Sequence, residues 1–394
     1  MAKTELRRVK VDRFVAGDPL RGLTALCIVV FHAAYNILYR EEGPQGSFER
    51  VFGPTTGAAL RSLELVLNVF FVLSAYLIAR PFVAAYVEGR RSPNVRRYAR
   101  NRLLRIVPTF WGIYTIVLLV RGTEGQGLGD ILPLYLFGGL VDNRALSPSM
   151  GQSWTLSMEL AFYLTIPLAI AAAGVFAGPR ARRVRVLLAA CFLLWIGSAL
   201  LRTAVPPTLF WLRLFPCLLY GFMPGVALAA LEMRVPRGGY PRWMPAALVA
   251  GGVGLLAAAR SIAPELYMAQ LPDRILAVEV CSSLGTGLIV AGPLMLQWNG
   301  QKVWRVLHWR PLHWVGERSY SLFLVHQAVI GAWLASVDFG DGRAAALKLS
   351  ACALAVSLPA AWLAHRLFER PSMALMGRRA TTASTAPVPQ PTGR

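Results

Sequence analysis

Three ionisable side chains stand inside runs that are otherwise apolar: His32, Glu159 and His326. Such groups are costly at membrane depth, about 2.5–3.5 kcal/mol on insertion scales, and mark function by default. A neutral imidazole is available near pH 7, so a buried histidine is a ready general base. Arg21 precedes His32 by eleven residues. At ~100° per residue this is three turns plus ~20°, so both share one helix face, roughly 16 Å apart along the axis. Arginine stays protonated and cannot be the base. It suits an anionic ligand at the mouth of the helix. Glu159 follows Trp154 and Thr155, and its i,i+4 spacing puts Thr155, Glu159 and Tyr163 on one face. If the two helices are neighbours, Glu159 and His32 share a depth, and the carboxylate would orient the imidazole or bind a substrate hydroxyl. Ser319, Phe323 and His326 share a face of a later run. Each group also has a structural reading. Arg21 and His32 fit a positive-inside arginine with an interfacial histidine, Glu159 an intramembrane hydrogen bond, and His326 a satisfied core histidine.

These side chains need elements to hold them. Of 394 residues, 55% are hydrophobic and 15% charged, against roughly 45–50% and about 25% in soluble domains. This excludes a soluble enzyme and intrinsic disorder, and leaves an all-α polytopic membrane protein. A spanning helix needs ~20 mostly apolar residues. About ten candidates lie near 20–39, 60–80, 106–120, 154–176, 186–201, 208–231, 244–260, 275–297, 319–336 and 345–367. Asp130–Val141, broken by Pro133, Gly138 and Gly139, is too short to span and reads as re-entrant or interfacial. Arg61 and Glu64 are spaced i,i+3 and are expected to pair. Glu279 has no evident purpose. Residues 1–375 form the membrane domain, and 376–394, rich in Pro, Thr and Ala, a disordered cytoplasmic tail.

Lys and Arg number 41 against 20 Asp and Glu, a net of +21. Ten spans put both termini on one side. With that side cytoplasmic, the inner segments hold 30 of the 41, as the positive-inside rule requires. The densest run, Arg90 to Arg105, reads as an inner loop entering the third span. Topology and anionic lipid explain most of it. Arg102 and Arg105, i,i+3 at the mouth of that span, also suit a polyphosphate. No nucleic-acid motif accompanies the charge, so nucleic acid is not an expected partner. The five cysteines are scattered through apolar runs and read as small core residues. His308 and His313 fit no metal spacing, so no metal site is expected.

Five motifs in order resemble the membrane-bound acyltransferase 3 family of sugar and antibiotic O-acyltransferases. They are Leu20-Arg21-Gly22 with His32, Phe70-Phe71-Val72-Leu73-Ser74, Arg102-x-x-Arg105-Ile106-Val107-Pro108, Trp154-Thr155-Leu156-x-x-Glu159-x-x-Phe162-Tyr163, and Ser319-Tyr320-Ser321-Leu322-Phe323-Leu324-x-His326. Ala75 and Tyr76 replace the usual Gly-Phe after Ser74, and Asn68 stands where an acidic residue is common. The methyl of Ala75 bears on helix approach there.

The resemblance implies transfer of an acyl group, acetyl foremost, from cytoplasmic acyl-CoA to a hydroxyl. The acceptor would be a glycan, a glycolipid or a small molecule of macrolide type. No bound cofactor is expected, with acyl-CoA serving as substrate. In this reading His32 is the base and Glu159 orients it or binds the acceptor. Arg21, Arg102 and Arg105 hold the donor, and Ser74, Trp154, Thr155, Tyr320 and His326 support the site. The rival reading is a secondary transporter in which His32, Glu159 and His326 relay protons.

Overall fold

Long apolar runs satisfy their backbone groups in lipid only as helices or closed barrels, and every regular element described here is helical. The computed structural model describes residues 14–377, except 44–45, 124, 139–147, 177, 207, 235–237 and 263–271. The expected tail, from residue 378 on, lies outside the described residues. The helices are α1 (Gly17–Glu42), α2 (Phe48–Phe52), α3 (Pro54–Ser62), α4 (Leu67–Val87), α5 (Val95–Arg121), α6 (Leu128–Tyr135), α7 (Trp154–Ala173), α8 (Arg180–Ala204), α9 (Leu209–Leu212), α10 (Phe215–Glu232), α11 (Met244–Ile262), α12 (Pro272–Trp298), α13 (Arg310–Glu317), α14 (Ser319–Ser336), α15 (Gly342–Ala364) and α16 (Arg370–Gly377). A 3₁₀ segment, Pro148–Ser153, leads into α7, and a π-helical turn, His365–Glu369, joins α15 to α16.

Among the described residues, nine helical stretches are long and apolar enough to cross a membrane, where the sequence suggested ten. The difference is α14. It forms as expected, but Ser319, Tyr320, Ser321, His326 and Gln327 dilute its hydropathy. Protein rather than lipid covers it: α1, α5 and α15 pack around it, and Ser321, Leu322, Leu324, His326 and Ile330 are fully buried.

Two local expectations are corrected. The arginine-rich stretch is helical, not a loop. Asn94 Oδ1 accepts the Arg97 N–H at 2.9 Å, a helix cap, so Arg96 to Arg105 ride the first turns of α5. Arginine is a good helix former, which favours the extension. Arg61 and Glu64 attract each other, but each makes a closer ion pair with another helix. Arg61 reaches Glu49 on α2 (2.7 Å), and Glu64 reaches Arg260 on α11 (3.1 Å). Tertiary neighbours present better-aimed partners than the helix itself does.

The bundle centres on α1, which packs on α4, α13, α14 and α15, while α10 lies between α4 and α8. A Cβ at Gly22 would fall on the Leu312 carbonyl and 3.0 Å from Gly316 N. That close approach seats α1 on α13 and turns the adjacent Arg21 to another face. At Gly225 of α10 a Cβ would strike the Val72 carbonyl and lie 2.7 Å from the Ala75 methyl. The partner helix therefore supplies the small residue that α4 lacks at position 75. Tyr76 finds a role too: its hydroxyl donates to Glu232 (2.9 Å), which also pairs with Arg80. α6 lies against α5, with Trp111 Nε1 donating to the Tyr135 carbonyl (2.8 Å), while Leu128, Leu132 and Leu136 are exposed.

Candidate active site

Helices α1, α4, α5, α7 and α14 converge on a cavity of about 90 Å³. Arg21 enters from α1, Ser74 from α4, and Arg102 and Arg105 from α5. Thr155, Glu159 and Tyr163 come from α7, and Ser319, Tyr320 and Phe323 from α14. The i,i+4 face of α7 and the first turns of α14 thus open onto the same space. Glu159 Oε1 accepts from Ser74 Oγ (2.8 Å) and from the Tyr163 hydroxyl. Its Oε2 has no hydrogen-bond partner among the described residues. Arg102 stacks between Tyr98 and Tyr163, its guanidinium 5.6 and 5.5 Å from the ring centres. Arg21 lies 3.6 Å from Asp18. Arg102 and Arg105 pair with no carboxylate among the described residues. The cavity is therefore lined by three guanidinium groups against one carboxylate, an excess of positive charge. Tyr320 anchors α14 to α5 by donating to the Ile106 carbonyl (2.9 Å).

His32 and His326 do not line this cavity. They sit behind Phe323, which lines it and also packs on the His326 ring at 5.6 Å. Phe70 meets Phe323 edge to face at 6.2 Å. The two imidazoles stack at 5.0 Å, with His326 Nε2 2.9 Å from His32 Nδ1. Their tautomers follow from one contact. His326 Nδ1 lies 2.7 Å from the Phe323 carbonyl, and a carbonyl only accepts. Nδ1 of His326 therefore carries its proton, and in a neutral ring Nε2 keeps the lone pair. His32 Nδ1 must then donate to it, which leaves the lone pair of His32 on Nε2.

The expectation that Glu159 would orient His32 is corrected. α7 packs on α4, while α14 packs on α1, so His326 fills the position foreseen for the carboxylate. Trp154 also stays out of the cavity. Its ring carries the Arg213 guanidinium at 4.8 Å, and it packs beside Met158, Ala199, Leu218 and Tyr220.

Sequence reasoning missed Gln152. It is buried, at 3% exposure, and its Nε2 donates to the Phe323 and Leu324 carbonyls at 3.1 and 2.8 Å. It thus braces the same carbonyl that fixes His326. The Gln152 carbonyl accepts from Thr155 Oγ1 (2.9 Å), tying this brace to α7. The signal available was a polar Gly-Gln-Ser triplet directly before an apolar run.

Glu279 now has a partner. Its Oε1 lies 2.6 Å from Arg202 Nε, with side chains 0% and 2% exposed, and Arg202 also lies over the Tyr220 ring.

A family model described as "Acyltransferase domain" (Acyl_transf_3) matches residues 17–366. "Acyltransferase MdmB" of Streptomyces mycarofaciens is 25% identical, over 96% of each chain. "Exopolysaccharide production protein ExoZ" of Rhizobium meliloti (strain 1021) is 28% identical, over 81% of this chain and 92% of the relative. No solved structure matches significantly.

Proposed function

Since the chain belongs to the acyltransferase 3 family of multi-pass membrane enzymes, we propose that it moves an acetyl group from cytoplasmic acyl-CoA to a hydroxyl of a cell-envelope glycan or glycolipid. The relative with a printed role in exopolysaccharide production supports a glycan as acceptor. The observation that carries the mechanism is the histidine pair. The Phe323 carbonyl and His326 fix the proton of His32 on Nδ1 and leave Nε2 as base.

The steps then balance. The acceptor hydroxyl attacks the thioester carbonyl, and His32 Nε2 takes its proton. The imidazolium that forms keeps its Nδ1 hydrogen bond to His326 Nε2, which orients the ring as a carboxylate does in a serine–histidine–aspartate triad. The tetrahedral intermediate collapses, expels the coenzyme A thiolate and returns the proton to sulfur from Nε2. The products are an ester and free coenzyme A. A positioned base of this kind contributes about 10²–10⁴-fold.

Arg21, Arg102 and Arg105 receive the donor's diphosphate at the cytoplasmic mouth, where charge-assisted, forked contacts are strongest. Glu159, held on Oε1 by Ser74 and Tyr163, presents Oε2 to a substrate N–H or O–H. Phe323 stands between that space and the histidines, so the thioester reaches His32 only when its ring yields. In this frame both termini lie in the cytoplasm.

The test is purified protein in nanodiscs, labelled acetyl-CoA, and envelope glycans from a strain lacking the gene. The expected result is alkali-labile label on the glycan with one coenzyme A released per ester. Label on amines, or none on any envelope fraction, contradicts the reading.

A further inference from the structure

A second cavity has a volume of about 390 Å³. Its walls are Glu317, Arg318, Trp362, His365, Arg366 and Arg370. The two cavities are one residue apart on the chain: Arg318 faces the second, while Ser319 and Tyr320 face the first. Three guanidinium groups against one carboxylate leave the second cavity positive. That carboxylate, Glu317, is 54% exposed and meets Arg318 at 3.2 Å, a contact of little strength in water. Arg366 and Arg370 reach no carboxylate among the described residues. Arg318 Nε is buried with no hydrogen-bond partner.

The walls are built, not draped. Arg318 stacks on Trp314 at 4.4 Å and donates to its carbonyl at 2.8 Å. Arg366 lies over Trp362 at 5.5 Å. The floor is the π-helical turn His365–Glu369, and such turns are rare and concentrate at functional sites. Glu369, 1% exposed, pins the turn by accepting from Ser321 Oγ (2.9 Å) and His365 Nδ1 (3.0 Å). Phe368 of the same turn fills the space over Gly112, where a Cβ would lie 2.6 Å from its ring. The turn is thereby fixed to α14 and α5, the helices that carry Phe323, Arg102 and Arg105.

We infer that this cavity holds the nucleotide end of the donor, its 3′-phosphate on Arg318, Arg366 and Arg370 and its adenine against the Trp362 indole. The inference rests on the acyl-CoA reading above. The volume is within the ~300–1,000 Å³ usual for small-molecule sites. Forked guanidinium groups match phosphate geometry, and an indole face matches a planar base. The rest of the donor then passes Ser319 and Tyr320 into the first cavity. An anionic lipid headgroup is the other source of phosphate at such a place, and the test separates the two.

The probe is adenosine 3′,5′-bisphosphate, bound to the full chain in nanodiscs of zwitterionic lipid. Arg366→Glu/Arg370→Glu should weaken its binding by about tenfold or more, and Trp362→Leu by less. All three side chains are exposed, so folding is not at stake. Arg102→Ala/Arg105→Ala should weaken the fragment less than Arg366→Glu/Arg370→Glu does, through its 5′-phosphate alone. In turnover, the Arg366/Arg370 variant should raise the acyl-CoA KM and hold kcat. Fragment binding and KM both unchanged in that variant overturn the inference while leaving the transferase reading standing. The same is true if only its response to added phosphatidylglycerol changes, which marks a lipid site. No fragment binding and no acyl-CoA consumption by the wild-type protein overturn the donor reading itself.

Discussion

Glu159 and Glu279 are both carboxylates set in apolar helices, and the protein treats them in opposite ways. Glu279 is sealed against Arg202, with both side chains almost wholly buried. Glu159 lies in a cavity lined by three arginines, yet its partners are two hydroxyls, on a single oxygen. A charge removed from water must be paired or hydrogen-bonded. Glu279 meets that demand with the opposite charge of Arg202. Glu159 meets it with hydroxyls alone, and Arg102 and Arg105 beside it pair with no carboxylate among the described residues. Depth alone does not separate structural from functional charge. The kind of partner does: a buried guanidinium for Glu279, two hydroxyls at the edge of a cavity for Glu159.

Breaking the sealed pair should have the largest effect. Glu279→Gln strands Arg202 in the bundle and should cost about 3–5 kcal/mol, read as loss of monodisperse protein and a lower unfolding temperature in detergent. Arg202→Met with Glu279→Leu should recover most of that, since a matched apolar pair is often neutral or better. Glu159→Gln sharpens the contrast. Folded yield should stay at the wild-type level while transfer falls roughly 10–100-fold, the worth of a hydrogen bond to a charged group. Gln152→Leu removes the brace from the Phe323 carbonyl. A neutral hydrogen bond is worth up to about tenfold, and the loss should appear in kcat with the acyl-CoA KM unmoved. Ser74→Ala should be the mildest, about threefold, because Tyr163 still holds Glu159. If Glu159→Gln unfolds the protein and Glu279→Gln does not, the comparison is inverted and the assignment falls.

Much of this was legible in the sequence, and the failures share one cause. Hydropathy located the helices, helical spacing placed Thr155, Glu159 and Tyr163 on a common face, and Arg21 lines the same cavity. Those arguments concern one helix at a time. Which helix faces which is a tertiary fact. That is why Glu159 was expected on His32 where His326 stands, and why Arg61 and Glu64 were paired with each other and not with Glu49 and Arg260. Gln152 escaped because it lies in a 3₁₀ segment, where helical periodicity carries no information. α14 shows the reverse effect. The residues that made it worth attention, His326 among them, are the ones that leave it too polar for lipid and require neighbours on its sides. The same buried groups suited a proton relay as well as a transferase, and family membership decided for the transferase.

The central claim is that His32 Nε2 is the base. It is tested most directly by single-turnover transfer from labelled acetyl-CoA with purified His32→Ala, after its folding and donor binding are shown to match wild type. The expected result is a fall of about 10²–10⁴-fold in the transfer step at unchanged donor affinity. Transfer at the wild-type rate by the folded variant would contradict it.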